Sequence, residues 1–314
     1  MAMPEALWGS AMRGVNRMVQ LHEYLMHAVY FAPRGKRRIH ELGAHLAQRY
    51  LDAEDLLIGV IGDAGSGKSL LIQGMFPGLE LSNDDERINV RPLPLLHHSD
   101  NDNFEHHTYH LDLLFELAFS QPGLLADAVN KAMLAGCRVV AEHFELLYPY
   151  LGRNAHVLVG VGEEVIIARP GHFGPLPEEI RSVVYPSLSY RKMAHSAEDI
   201  TSKVLQRMGV PLADDHGDVR HGFMLLYSAK PQVDLFLVER LVQEMIAMDL
   251  PIIALGDQHI SIGKDDVACT GPRIHVRSTG EIRNFRLVKE YFFDPLTREY
   301  SVTGLVGEEP KSFL

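Results

Sequence analysis

The chain has 314 residues, of which 46% are hydrophobic and 23% charged, and its formal net charge is −11. That length allows two domains with a core each, and the acidic balance excludes a protein that coats nucleic acid non-specifically. Two cysteines far apart in sequence, Cys137 and Cys269, exclude a disulfide framework; with no apolar run of about eighteen residues and no apolar leader in Met1–Val19, the expectation is a cytoplasmic protein with no membrane span.

Residues 12–32 carry Val15, Met18, Val19, Tyr24, Leu25 and Val29 at helical spacing, which predicts one or two helices. The basic run Arg34-Gly35-Lys36-Arg37-Arg38 reads as the solvated start of the next helix, Ile39 to Tyr50, or as a phosphate contact. Residues 1–49 are therefore expected to form an N-terminal helical segment. Leu56 to Ile61 reads as a buried strand running into Gly62-Asp63-Ala64-Gly65-Ser66-Gly67-Lys68-Ser69, and Lys68 to Met75 as the helix leaving it. The eight residues have the G-x-x-x-x-G-K-[ST] form of a phosphate-binding loop. Glycines let consecutive backbone N–H groups curl round phosphate oxygens, and the helix adds the positive end of its dipole. In that role Lys68 reaches the β- and γ-phosphates of ATP or GTP, and Ser69 ligates Mg²⁺.

Residues 77–103 are polar and turn-rich, with one strand candidate at Arg87 to Leu96. Leu111 to Ser120 and Leu124 to Ala135 read as helices, Cys137 to Glu142, His156 to Val161 and Val165 to Ala168 as strands. This rhythm predicts an α/β domain over residues 50–180, a parallel sheet with helices on both faces. Glu142 ends a buried strand, where such a sheet places catalytic acids. Asp112 is a second carboxylate candidate, or simply a helix cap. Five histidines, His97, His98, His106, His107 and His110, fall in the same domain; His106 and His110 would share a face if helical and suit a metal.

Arg169 to Pro186 holds four prolines and two glycines and reads as the linker or lid between domains. An α+β domain follows over residues 187–306, with helices at Ala194 to Met208 and Asp234 to Met248 and a strand at Gly222 to Ser228, before a polar tail, 307–314. Arg273 to Tyr291 carries a local charge of +3, a basic stripe that suits either a solvated strand or an RNA contact.

In the second half, His195-Ser196-Ala197-Glu198-Asp199, Asp214-Asp215-His216-Gly217, Gly256-Asp257, His275 to Ile282 and Val302-Thr303-Gly304 occur in an order that resembles the second additional domain of alanyl- and threonyl-tRNA synthetases and of free-standing alanyl-tRNA editing proteins. The resemblance implies a metal-assisted hydrolase acting on mischarged tRNA, its metal held by an H-x-x-x-H pair and a later C-x-x-x-H pair. Here His195 and His275 match, Asp199 stands in place of the second histidine, and Gly271 falls where the cysteine belongs. Cys269 is two residues out of register, so the Zn²⁺ set His195, Asp199, Cys269 and His275 is expected to be degraded. The first half resembles P-loop kinases of the uridine kinase type through the loop, Asp112, the strand ending at Glu142 and the later basic residues. That likeness implies a lid in which Arg169, Arg181, Arg191 and Lys192 neutralise phosphoryl charge. The combined expectation is a Mg²⁺-dependent phosphotransferase acting on a nucleoside or tRNA-related substrate, with an amino acid or tRNA as the second domain's ligand. Two alternatives stand beside it: a metal-dependent editing hydrolase gated by nucleotide, and a non-catalytic nucleotide switch.

Overall fold

The computed structural model describes residues 26–81, 94–100 and 104–309. The first half is built on a six-stranded sheet of β1 (His27–Phe31), β2 (Leu57–Ile61), β3 (Thr108–Asp112), β4 (Arg138–Glu142), β5 (Val157–Val161) and β6 (Glu164–Ala168), in the order β1-β6-β5-β2-β4-β3. The run β3-β4-β2-β5 is parallel, whereas β6 folds back antiparallel on β5 and β1 adds antiparallel to β6. The sheet is therefore mixed rather than purely parallel.

Helices cover both faces because β2 alternates. Ile58 and Val60 face α1 (Lys36–Tyr50) and α2 (Lys68–Met75) through Ile39, Leu46, Leu71 and Ile72. Leu57 and Ile61 face the opposite way, toward Leu125 and Val129 of α3 (Pro122–Leu134) and Ile180 and Val184 of α4 (Pro177–Arg207). All of these side chains are fully buried or nearly so, each worth about 1.5–3 kcal/mol of transfer free energy. The two glycines at Gly43 and Gly74 let α1 and α2 touch backbone to backbone; a Cβ on Gly74 would fall 2.0 Å from the His40 carbonyl oxygen.

The second half holds an antiparallel sheet of β7 (Asp215–Val219), β8 (Gly222–Tyr227), β12 (Arg286–Leu287), β13 (Phe292–Asp294) and β14 (Glu299–Leu305), ordered β12-β14-β8-β7 with β13 also on β14. A smaller sheet of β9 (Ile252–Ala254), β10 (His259–Ile262) and β11 (Asp265–Ala268) is antiparallel as well. Helix α5 (Leu235–Ala247) packs here, capped by the Asp234 carboxylate on Phe236 N.

Several expectations are corrected. Residues 27–31 form a strand rather than a helix, so residues 26–49 belong to the first domain and not to a separate segment; residues 1–25 lie outside the described part. The stretch read as a helix at Leu111 to Ser120 is the end of β3 plus one helical turn, Leu113–Glu116. The strand candidate at Arg87 to Leu96 falls mostly outside the described residues, and Pro94–Asp100 is helical. Only residues 169–176 of the proline-rich linker are non-helical; the rest opens the 31-residue α4, which begins at Pro177 and continues through Pro186. Pro177 suits the first helical position, where no N–H is needed. Pro186 removes one internal bond, but Val184 and Leu188 are buried on either side of it. The same helix then supplies Met193, Ala194, Ala197, Ile200 and Val204 to the second core. The polar tail begins docked, with Gly307 N donating to Arg283 O. No helix among the described residues is long and apolar enough to cross a membrane.

Candidate functional site

Gly62 to Ser69 link the end of β2 to the start of α2, at the carboxyl edge of the sheet. Gly65 (φ +74°) and Gly67 (φ +89°) take left-handed conformations that let the backbone curl. Within the loop Ser66 N donates to Asp63 O at 3.2 Å, and Ala64 N to Asp63 Oδ1 at 2.7 Å. Gly62 leaves no space for a side chain, since a Cβ would meet Val161 O at 2.6 Å. Lys68 is buried; its Nζ donates to Asp63 O at 3.1 Å and lies 3.8 Å from Glu142 Oε2.

Glu142 ends β4, the neighbour of β2. Its Oε1 accepts from Ser69 Oγ at 3.2 Å and lies 3.2 Å from His110 Nε2 on β3. Burial pushes this carboxyl upward, but the hydrogen bond and charge of His110, with Lys68 and His143 nearby, bring it below the usual carboxylate range. Asp112 pairs in register with Glu142, and its Oδ1 caps the following turn by accepting from Leu114 N and Phe115 N. The helix-cap role is thus the one the geometry displays for Asp112. His110 and His106 do not share a helical face, because Thr108–Asp112 is a strand that buries His110 while His106 is exposed. His98 pairs with the Tyr109 hydroxyl. The histidine cluster is not a metal set among the described residues.

Of the four basic residues read as a lid, two lie elsewhere. Arg169 forks onto Asp55 at 2.6 and 2.7 Å, beside the opposite, amino end of β2. Arg181 pairs with Glu178 and covers the Tyr185 ring, ten residues up α4 from the loop. Arg191 does reach the loop but is fully enclosed; it donates to Ser66 O at 2.7 Å, to Gly162 O at 3.2 Å and to Pro33 O. Lys192 Nζ stands 4.0 Å from where a Gly65 Cβ would be.

In the second domain His195, Asp199, Cys269 and His275 converge, with their donor atoms within 4.8 Å of one another. His195 and Asp199 are one turn apart on α4, and the other two sit on the 269–275 turn. His195 Nδ1 donates to Ile274 O at 3.0 Å and His275 Nδ1 to Pro272 O at 3.2 Å, so both Nε2 atoms are left as acceptors facing inward. His275 Nε2 lies 2.9 Å from Asp199 Oδ2, and Cys269 Sγ lies 3.5 and 3.8 Å from the two Nε2 atoms. Tetrahedral zinc with bonds of 2.0–2.3 Å sets its ligands about 3.3–3.7 Å apart. The Cys269 Sγ separations of 3.5 and 3.8 Å lie close to that range, and the 2.9 Å His275–Asp199 contact is a hydrogen bond that would open slightly to admit an ion; the four-donor set fits a metal. Burial, with the charge of His275, holds His195 well below its ordinary value, and burial raises both Asp199 and Cys269.

The register shift that was expected to degrade this set does not separate the thiol from it. Gly271 explains why: its α-carbon passes so close to the Arg34 backbone that a Cβ would sit 2.1 Å from Arg34 O, so no cysteine fits there. The turn instead delivers Cys269, whose Sγ accepts from Gly271 N at 3.4 Å. Arg34, read from sequence as part of a solvated helix start or a phosphate contact, is buried between the domains; its Nε lies 3.0 Å from Glu198 Oε2 and its Nη2 2.9 Å from Asp218 Oδ1. No local signal separates it from its exposed neighbour Arg37. His110 as the partner of Glu142 was likewise missed, although its i, i+2 spacing to Asp112 was the available clue. A scan against family models gives no match to this chain, and a search of curated proteins gives none either.

Proposed function

We propose that the chain binds ATP or GTP with Mg²⁺ on Gly62–Ser69 and transfers a phosphoryl group to a nucleoside or tRNA-related acceptor. The observation that carries this reading is the junction of β2 and β4: one buried carboxylate, Glu142, touches both Ser69 and Lys68 at the head of α2. Bound Mg²⁺ would be held by the Ser69 hydroxyl with Glu142 beside it, and would neutralise charge on the phosphate oxygens. Lys68 and the loop N–H groups would hold the phosphate tail, and α2 would orient it. His143 directly follows Glu142 with φ +57°, a left-handed conformation that costs a non-glycine residue about 1–3 kcal/mol. Strain of that kind next to a candidate catalytic acid supports an acceptor site on this edge. His195, Asp199, Cys269 and His275 would hold zinc, and a full set of four protein donors favours a structural over a hydrolytic metal.

Calorimetric titration of ATP and GTP in magnesium buffer tests the reading. The wild-type chain should bind one of them, and Lys68→Ala should weaken that binding roughly 10- to 100-fold, as loss of a charge-assisted contact predicts, and abolish turnover. Turnover unchanged by Lys68→Ala removes the loop from the mechanism.

A further inference from the structure

We infer that the four-donor centre and the glycine loop act as one coupled unit, in which a metal on His195, Asp199, Cys269 and His275 locks α4 and the 269–275 turn against Gly62–Ser69, and Lys192 is the cation that α4 then presents to the bound triphosphate. It rests on the reading that the loop holds a nucleoside triphosphate.

Both metal-bearing segments also touch the loop. Arg191 and Lys192 precede His195 by one helical turn, about 5 Å of rise. Arg191 grips Ser66 O and Gly162 O at one end of its fork and Pro33 O at the other. Lys192 Nζ is half-buried beside Gly65, and its ammonium has neither an ion pair nor a hydrogen bond among the described residues. The 269–275 turn meets the loop on a second side: Arg273 O lies 3.8 Å from the Gly65 Cβ position. It also meets the Pro33–Lys36 strap, where Lys36 N donates to Thr270 O at 3.2 Å and Gly271 abuts Arg34 O. Arg34 closes the circle through Glu198, the residue before Asp199.

The chemistry of the donors supplies the switch. With metal bound, the inward Nε2, Oδ2 and Sγ atoms are drawn together. Without it no shared ion ties the 269–275 turn to His195 and Asp199 of α4, and the acceptors are free to separate. Separation displaces the turn from Gly65 and tilts α4, carrying Lys192 away from the phosphates. Coupling between two such sites is typically 5- to 150-fold in affinity and is reciprocal.

The test uses the full chain, loaded with one equivalent of zinc or stripped by chelator, with circular dichroism to follow the fold and calorimetry to follow magnesium ATP. Zinc-loaded protein should bind ATP at least fivefold more tightly than stripped protein, zinc should restore the difference, and ATP should tighten zinc binding by the same factor. Lys192→Ala should weaken ATP about tenfold with zinc content unchanged, and Lys192→Arg should recover most of it. Should stripping unfold the chain, Asp199→Asn read at graded zinc concentrations gives the same comparison in a folded protein. Equal ATP affinity with and without zinc overturns the coupling, and Lys192→Ala with wild-type affinity overturns the role of Lys192. A loaded chain that takes up zinc yet binds neither ATP nor GTP overturns the nucleotide reading beneath both.

Discussion

Gly271 is the position at which the metal turn is most sensitive to one added methyl group. A Cβ there would lie 2.1 Å from Arg34 O and 3.0 Å from His195 Cε1. An ordinary carbon–oxygen contact is about 3.3 Å or longer, so the turn must retreat by roughly 1 Å. Neither obstacle is free to give way, one being backbone and the other a ring tied to Ile274 O. Overpacking of this kind costs about 1–3 kcal/mol, and each kcal/mol lowers the melting temperature by about 2–4 °C at domain sizes of 150–250 residues. Gly271→Ala should therefore melt several degrees below wild type. Because Gly271 N is bonded to Cys269 Sγ, the retreat should also pull the thiol off the set and reduce zinc per chain. Differential scanning calorimetry and elemental analysis read the two effects. Gly123→Ala is the control: it lies in α3, nothing stands within 4 Å of its Cβ position, and its φ is not left-handed, so it should be neutral or slightly stabilising. A Gly271→Ala protein that matches wild type in melting temperature and zinc content would refute the packing account of the turn.

Two further substitutions separate fold from function. Arg169→Ala breaks the fork onto Asp55, whose side chain is nearly buried, and should cost about 2–3 kcal/mol in a denaturant titration while leaving ATP affinity within twofold; a large loss of affinity would return Arg169 to the phosphate site. Glu163 is raised to about 7, chiefly by burial and further by the charge of Glu164, against the His221 N–H. Its folded value lies above the usual 4.3 or so, so the native state holds the extra proton, and stability should fall as pH rises from about 4.5 to 7, then level off. The span is worth about 3–4 kcal/mol at most. Glu163→Gln keeps an acceptor for His221 N, should flatten that slope and should be the more stable protein at pH 8; urea midpoints at pH 5, 6, 7 and 8 that keep the wild-type slope would count against the assignment.

What could be read in advance followed the range of the signal. Gly62–Ser69 was legible because loop, strand and helix are contiguous, and His195 with Asp199 because helical spacing is local. Cys269 joins them through a fit between Gly271 and Arg34, residues 237 positions apart in the chain, which spacing rules cannot encode. Val29 was misread as helical because β1 alternates in burial but not in residue type: its exposed positions include the apolar Val29 and Phe31, so the sequence hides the period of two. The prolines of residues 169–186 marked a break at Pro175 and Pro177 but not at Pro186, where packing of Val184 and Leu188 outweighs the missing bond. Arg169 carried the right charge, and only the tertiary structure shows that Asp55 has already taken it, whereas Arg181 pairs locally with Glu178 three residues earlier on α4.

One rod, Pro177–Arg207, is sunk into two separate cores. Cutting the gene near residue 186 would leave each fragment with a stump of it, exposing Ile180 and Val184 on one side or stranding His195 and Asp199 on a frayed end on the other. The two halves are therefore expected to be inherited, expressed and lost together, and a twist applied to either would be felt along the shaft by its neighbour.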